Sequence, residues 1–247
     1  MTKKYYAFLI LFLATFAMGA PLTIFAAASL TEALNEIATL YKASAPEATL
    51  TFNFDSSGKL QTQIENGAEA DLFLSAGQKQ MDAIAEAYID AATRKDLLVN
   101  QVVLIVPKNS KKNIKSFEDC LSDKVSLIAI GNSSVPVGQY TEEIFTFLKG
   151  WDKITAKASL GTNVKEVLSQ VESGSVDAGV VYATDAATAK NVKVVAEAPK
   201  GSHKPAVYPA AVLKKSAHPQ EAKAFLDFLS SPKAMAVFKK IGFEVVK

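Results

Sequence analysis

Apolar residues recur along this chain in two alternating patterns. Short continuous apolar runs predict buried β-strands, and longer segments with apolar residues three or four positions apart predict amphipathic helices. The predicted strands are residues 22–27, 50–54, 72–75, 102–106, 127–130, 178–182, 192–195 and 207–213. The predicted helices are residues 30–44, 60–66, 79–87, 141–149, 164–173, 219–230 and 232–241. Because strands and helices alternate, the pattern predicts an α/β fold with parallel-core sheets and flanking helices on both faces.

The length of the chain allows more than one hydrophobic core. With 247 residues and 49% hydrophobic composition, the chain can form one large domain or two lobes of about 100 residues each. No repeat or low-complexity stretch separates independent modules. The order of the predicted elements favours two lobes, and we expect the last two helices to pack against the first lobe.

Residues 1–19 have the composition of a secretory signal peptide. Lys3 and Lys4 precede an apolar segment, residues 7–16, and a small-x-small pattern ends at Gly19. The apolar segment is shorter than the roughly 20 residues that a transmembrane helix needs. We therefore expect cleavage after Gly19 and export of a mature chain to the periplasm.

The charge balance excludes a broad electrostatic partner. The 27 Lys and Arg and 25 Asp and Glu residues are interspersed, and removal of the signal peptide brings the net charge of +2 close to neutral. Nucleic-acid-binding proteins show a basic face or stripe instead, so no nucleic-acid partner is expected. One cysteine, Cys120, and two distant histidines form neither a disulfide nor a metal-ligand cluster.

Four segments place small or hydroxyl residues where a predicted strand gives way to a helix or turn. They are residues 26–30, 56–60, 135–140 and 179–185. Helix N-termini carry unsatisfied N–H donors, and ligands of open α/β sheets bind at the carboxyl ends of strands. Because Arg94 is the only arginine, the pattern predicts an oxyanion site built from hydroxyl and main-chain N–H groups.

The segments FAAASLTEAL, SSGKLQTQIENGAEADLFLSA, VPVGQY and DAGVVYATDA, in this order and spacing, resemble periplasmic molybdate-binding proteins. These proteins are the solute receptors of molybdate ABC importers. The resemblance covers nearly the whole mature chain. It implies a type II periplasmic binding protein fold with a first lobe of residues 20–102 and 206–247 and a second lobe of residues 103–205. Crossing strands would join the lobes, which would close on a tetrahedral oxyanion by a hinge motion.

The resemblance also implies the ligand-binding residues. Ser29 and Ser57 would supply hydroxyl and backbone N–H donors from the first lobe. Val137 and Val164 would supply backbone N–H groups and Tyr182 its phenol from the second lobe. Molybdenum would be bound as its oxyanion, without direct metal ligands and without a further cofactor. Val137 stands where the family more often has alanine. The larger side chain keeps the main-chain donor but affects what the resemblance implies about specificity among large oxyanions.

The resemblance implies a receptor that delivers molybdate to a membrane permease and its cytoplasmic ATPase, and we expect it to be a monomer. Tungstate is nearly isosteric with molybdate and should bind about as well. The alternatives are a receptor for another oxyanion such as sulfate, a ferric-ion receptor, or an exported hydrolase on a similar fold. The sequence contains none of the common hydrolase motifs, and a triad of Ser29, Asp185 and His203 would be a chance combination. We expect Ser29 also to cap the helix at residues 30–44. Tyr140, Tyr208 and Arg94 are expected to be structural, with Arg94 tying down a loop or the region of Asp96 rather than contacting the ligand.

Overall fold

Two mixed β-sheets form the framework of the computed structural model, which describes residues 21–246. The predicted signal peptide at residues 1–19 lies outside the described residues. The first sheet contains β1 (Pro21–Ala27), β2 (Thr49–Asp55), β3 (Leu72–Leu74), β4 (Lys95–Asn100), β10 (Ala206–Val212) and β11 (Glu244–Val245). The second sheet contains β5 (Val102–Pro107), β6 (Ile128–Gly131), β7 (Ala158–Gly161), β8 (Ala178–Tyr182) and β9 (Val192–Glu197).

Each sheet has a parallel centre. The strand orders are β11-β4-β10-β3-β1-β2 and β7-β6-β8-β5-β9. In the first sheet β1 is parallel to β2 and β3, and in the second β6 is parallel to β7 and β8. The strands that run opposite to the parallel centre are β10 and β11 in the first sheet and β5 in the second. Of these, β10 and β5 are the first strands after each passage of the chain from one sheet to the other. The predicted α/β class with parallel-core sheets and crossing strands is confirmed.

Nine α-helices of the described residues flank the two sheets. They are α1 (Thr31–Ser44), α2 (Ser57–Glu65), α3 (Gln78–Tyr88), α4 (Pro136–Phe147), α5 (Trp151–Thr155), α6 (Val164–Glu172), α7 (Ala183–Thr188), α8 (Pro219–Leu229) and α9 (Pro232–Ile241). Alternate residues of β1 enter different cores, since Phe25 packs with α2 and α3 whereas Ile24 belongs to the larger core with α1, α8 and α9. The edge-to-face contact of Tyr41 with Phe225 joins α1 to α8, so the last helices return to the first lobe as predicted.

Several predicted boundaries were wrong. The helix predicted to begin at residue 141 begins at Pro136, because proline at the first helical position is already in a helical conformation. The helix predicted from residue 30 begins at Thr31, after a 3-10 turn at Ala28–Leu30. The pattern missed β4, β7, β11, α5 and α7. No helix within residues 21–246 has both the length and the apolar character needed to cross a bilayer.

Candidate functional site

The carboxyl ends of the parallel strands meet at the cleft between the two lobes. In the first lobe, β1 leads into the 3-10 turn at Ala28–Leu30 and β2 leads into α2. In the second lobe, β6, β7 and β8 lead into α4, α6 and α7. The first N–H groups of each helix have no acceptor within the helix and can bond to other groups.

One small cavity lies where these elements meet. Its volume, counted as the space open to the centre of a water molecule, is about 10 Å³, close to the minimum for a single water. All five residues predicted to bind the ligand line it. The full lining is Ala27, Ala28, Ser29, Asp55, Ser56, Ser57, Ala76, Val135, Pro136, Val137, Val164 and Tyr182. The structure thus brings the predicted residues of both lobes together around one small space.

Main-chain donors come from three helix N-termini. Ser57 is the first residue of α2 and Val164 is the first residue of α6. Val137 is the second residue of α4, directly after Pro136, which has no N–H group to offer. The three N–H groups therefore belong to first turns, where the positive ends of the helix dipoles favour an anion.

The hydroxyl of Ser57 is oriented by the loop that follows β3. Its Oγ accepts a hydrogen bond of 2.9 Å from the N–H of Ala76, so its own hydrogen is left for another acceptor. The phenol of Tyr182 donates to the carbonyl of Ala76 at 3.3 Å. Burial raises the pKa of Tyr182 well above its ordinary value, so the phenol keeps its hydrogen, which in this structure is donated to Ala76.

Ser29 does not cap α1, which corrects the sequence-based expectation. The residue before α1 is Leu30, and no side chain caps this N-terminus. The Oγ of Ser29 lies 2.9 Å from the phenolic oxygen of Tyr208 on β10. The local sequence predicted a cap because a serine precedes the predicted helix. In the structure its hydroxyl is hydrogen-bonded to a tyrosine of a distant strand instead.

The cavity has no positively charged lining. None of the described residues that line it is a lysine, arginine or histidine. The one carboxylate, Asp55, accepts hydrogen bonds from the N–H of Ser56 at 2.8 Å and from Asn163 at 3.3 Å, and it pairs with Lys59 at 3.3 Å. The oxygens of Asp55 are therefore already engaged by donors of the protein.

Contacts between the lobes surround the cavity. Gly58 on α2 approaches the second lobe so closely that a Cβ atom there would lie 2.2 Å from the carbonyl oxygen of Ser134. Gln80 donates to Gln139 across the cleft at 3.1 Å. Lys165 on α6 bonds both carboxylate oxygens of Glu32 on α1 at 2.8 Å. The two lobes are therefore in contact on several sides of the site.

Asp185 on α7 is a buried carboxylate behind this contact. Its Oδ1 lies 2.9 Å from the Nζ of Lys165, but neither carboxylate oxygen has a hydrogen bond of good geometry. Burial raises the pKa of Asp185 to about 6, although the nearby Lys165 ammonium acts in the opposite direction. The pKa of Lys165 is also raised, because the attraction of Asp185 and Glu32 outweighs its desolvation.

The pattern missed part of the site. Ala76, which orients both Ser57 and Tyr182, carries no polar side chain, and its only signal is its position at the end of the strand-like segment LFLSA. Arg94 was expected to tie down a loop or the region of Asp96. Its guanidinium pairs with Asp82 at 2.6 Å and with Gln78 at 2.7 Å, and the amide of Gln78 donates to Asp96 at 2.7 Å. Arg94 lies outside the cavity lining, as expected for a structural residue.

Ser29, Asp185 and His203 do not form a catalytic triad in the described part of the chain. Ser29 pairs with Tyr208 and Asp185 pairs with Lys165, while the Nδ1 of His203 lies 2.6 Å from the carbonyl of Lys204. Within residues 21–246, no group of three or more His, Cys, Asp or Glu side chains could hold a metal ion. The arrangement is suited to binding an anion by hydrogen bonds.

Two α/β lobes that enclose a donor-lined cavity at the ends of their strands define the class of solute-binding receptors. The chain belongs to the bacterial extracellular solute-binding protein family, which it matches over residues 22–244. This is a family of binding receptors and not of enzymes.

Individual relatives cover most of the chain. The protein described as "Putative ABC transporter substrate-binding lipoprotein YvgL" from Bacillus subtilis is 44% identical over 90% of this chain and 85% of its own length. The molybdate-binding protein ModA of Escherichia coli is 41% identical over 91% of this chain and 89% of its own. The solved periplasmic molybdate-binding protein of Azotobacter vinelandii superposes with a TM-score of 0.82 at 23% identity, covering 92% of this chain and 100% of that one. This last likeness confirms the fold.

Asp185 predicts a distinctive pH dependence of stability. Its pKa is about 6 in the folded chain and about 3.9 in an unfolded one, so the folded state holds its proton to higher pH. Its contribution to the free energy of unfolding is fully present below about pH 4 and is lost as pH rises to about 6. Relative to wild type, Asp185→Asn should become more stable by roughly 1 to 3 kcal/mol across this interval.

Urea unfolding at a series of pH values measures this difference. Asp227→Asn is the matched control, because hydrogen bonds from Lys223 and Lys95 lower the pKa of this exposed carboxyl. The control should not remove the loss of stability between pH 4 and 6. Parallel stability curves for Asp185→Asn and wild type would contradict the role assigned to Asp185.

Proposed function

We propose that this protein binds molybdate, and tungstate equally well, in the cleft between its lobes and delivers it to an ABC transporter permease. One observation carries the proposal. Ser29, Ser57, Val137, Val164 and Tyr182 line a single cavity, and none of the described lining residues is cationic. Hydrogen-bond donors from both lobes would hold the oxyanion through its oxygens, with no protein atom coordinating molybdenum and no further cofactor.

The donor set favours a fully deprotonated oxyanion. A dianion without a proton accepts hydrogen bonds at every oxygen, and bonds to a charged acceptor are roughly twice as strong as neutral ones. Hydrogen phosphate carries an O–H group that needs an acceptor. The carboxylate nearest to the cavity, Asp55, is already engaged by Ser56, Asn163 and Lys59, so a protonated ligand would leave a buried donor unsatisfied.

Size separates molybdate from sulfate, which is also a dianion that only accepts hydrogen bonds. A ring of donors spaced for the longer metal–oxygen bonds would hold sulfate loosely. Tungstate is nearly isosteric with molybdate and should bind about as well. The side chain of Val137 is fully buried at this cavity, and its volume would contribute to this selection by size.

The receptor would act outside the cytoplasm. Residues 1–19 would direct export and be removed, leaving a monomeric receptor in the periplasm. Its partners would be a membrane permease and the cytoplasmic ATPase that drives it. The similarity to ModA of E. coli and to YvgL supports this role.

Thermal unfolding with and without oxyanions tests the ligand. A ligand at about 100 times its dissociation constant adds roughly 2.7 kcal/mol to the free energy of unfolding. Molybdate and tungstate should raise the melting temperature of the anion-free mature protein, whereas sulfate and phosphate at the same concentration should not. An equal shift with sulfate would contradict specificity for molybdate and favour a general oxyanion receptor. Catalytic turnover of phosphate or carboxylate esters would favour the hydrolase alternative.

The double variant Ser29→Ala and Ser57→Ala tests the hydroxyl donors. Each hydrogen bond to a charged group is worth roughly 1.5 to 3 kcal/mol, so the affinity for molybdate should fall roughly 100-fold or more. Isothermal titration calorimetry measures this fall. Ser173→Ala with Ser175→Ala is the matched control, since these exposed hydroxyls bond each other, and it should bind as wild type does. Unchanged affinity in the first variant would refute the assigned site.

Gly58→Ala tests closure of the lobes around the ligand. The added Cβ would lie 2.2 Å from the carbonyl oxygen of Ser134, so the lobes could not approach as closely. We expect an intact fold and at least a roughly tenfold loss of molybdate affinity, since at least one donor bond would lengthen. Gln61→Ala, one turn along the same helix, is the control and should retain binding. Wild-type affinity in Gly58→Ala would show that this contact is not needed.

A further inference from the structure

A chain of buried polar side chains connects Ser29 to the passage between the lobes. The Oγ of Ser29 lies 2.9 Å from the phenolic oxygen of Tyr208. The side-chain amide of Asn100 donates to the same phenolic oxygen at 3.2 Å and to the hydroxyl of Thr184 at 2.8 Å. Asn100 is the last residue of β4, directly before the chain enters the second lobe. All four side chains are buried.

The direction of the hydrogen bonds in this chain follows from one backbone contact. The Oδ1 of Asn100 accepts a hydrogen bond of 2.9 Å from the N–H of Gln101, so the Nδ2 group faces Tyr208 and Thr184. An amide nitrogen can only donate, and the phenolic oxygen of Tyr208 must therefore accept. The hydrogen of the phenol is then available to the Oγ of Ser29.

The hydrogen of Ser29 is set by what Tyr208 does. If Tyr208 donates to Ser29, the serine hydrogen is free to point into the cavity. If Ser29 donates to Tyr208 instead, the serine presents lone pairs to the cavity. A ligand that only accepts hydrogen bonds is bound by the first arrangement and repelled by the second. Burial raises the pKa of Tyr208 well above its ordinary value, so the phenol keeps the hydrogen that the first arrangement requires.

We propose that Tyr208 and Asn100 are positioning residues that hold the Ser29 hydroxyl as a hydrogen-bond donor to the bound oxyanion. The inference rests on the proposed function. It means that two side chains outside the cavity contribute to the preference for a deprotonated ligand. Neither residue lines the cavity, so both act through Ser29. Tyr208, expected to be structural, is thereby assigned to ligand selection.

Two single substitutions change the chain in different ways. Tyr208→Phe removes only the phenolic oxygen, so Ser29 keeps its hydrogen but loses the partner that orients it. We expect the affinity for molybdate to fall about five- to tenfold, the effect of one hydrogen bond. Asn100→Asp replaces the donor by an acceptor, so Tyr208 would donate to the new carboxylate and Ser29 would turn its hydrogen toward Tyr208. The affinity should fall roughly 100-fold, because a lone pair would then face the anion.

A double-mutant cycle separates this reversal from the charge that Asn100→Asp adds. With phenylalanine at position 208, the new carboxylate cannot reach Ser29 through a phenol. Asn100→Asp should therefore cost much less affinity in the Tyr208→Phe background than in wild type. An equal loss in both backgrounds would show that the added charge acts alone and would overturn the proposal.

Tyr140→Phe is the matched control, since this buried tyrosine does not line the cavity. Its ring packs against that of Tyr182, with 6.5 Å between the ring centroids. The variant should bind as wild type does. Melting of each variant without ligand checks the fold, and wild-type affinity in Tyr208→Phe overturns the proposal even if Asn100→Asp does not fold.

Calorimetry is run with molybdate and with sulfate. Binding of sulfate alone by the wild type would refute the proposed function while the cycle still tests the positioning role, and binding of neither anion would refute both.

Discussion

The proposed function requires the site to hold a dianion away from water without a positively charged side chain. An isolated buried charge is strongly disfavoured unless hydrogen bonds replace its hydration, so every oxygen of the ligand needs donors that are already in place. Helix N-termini provide such donors at fixed positions. The fold provides several of them together, because the parallel strands of both sheets end at the same cleft and each is followed by a helix.

Closure of the cleft combines close packing with weak ionic contacts. Because Gly58 has no side chain, the main chains of the two lobes approach so closely that even a Cβ atom would not fit between them. The ion pair of Lys165 with Glu32 is partly exposed, and pairs of this kind contribute at most about 1 kcal/mol. Ligand contacts from both lobes would therefore be the main contribution to the stability of the closed arrangement.

Sequence patterns identified the elements that local periodicity defines and missed those that tertiary contacts define. Buried strands and amphipathic helices were predicted near their observed positions, whereas the edge strand β7, with Leu160 exposed, has no apolar run to mark it. The five predicted binding residues came from a resemblance, and the structure gathers them into one cavity. The contact between Ser29 and Tyr208 joins residues 179 positions apart. No local pattern could have predicted it.

The apolar part of the lining determines how strongly the donors act. Val135, Val137 and Val164 line the cavity and belong to the same buried core. Their side chains exclude water from the space beside the N–H groups, and hydrogen bonds are electrostatically stronger in such a low-dielectric environment. The same buried side chains cannot move without disturbing a closely packed core, so they keep the donors at a fixed spacing. Under the proposed function, binding strength and selection by size would therefore both depend on these three buried valines.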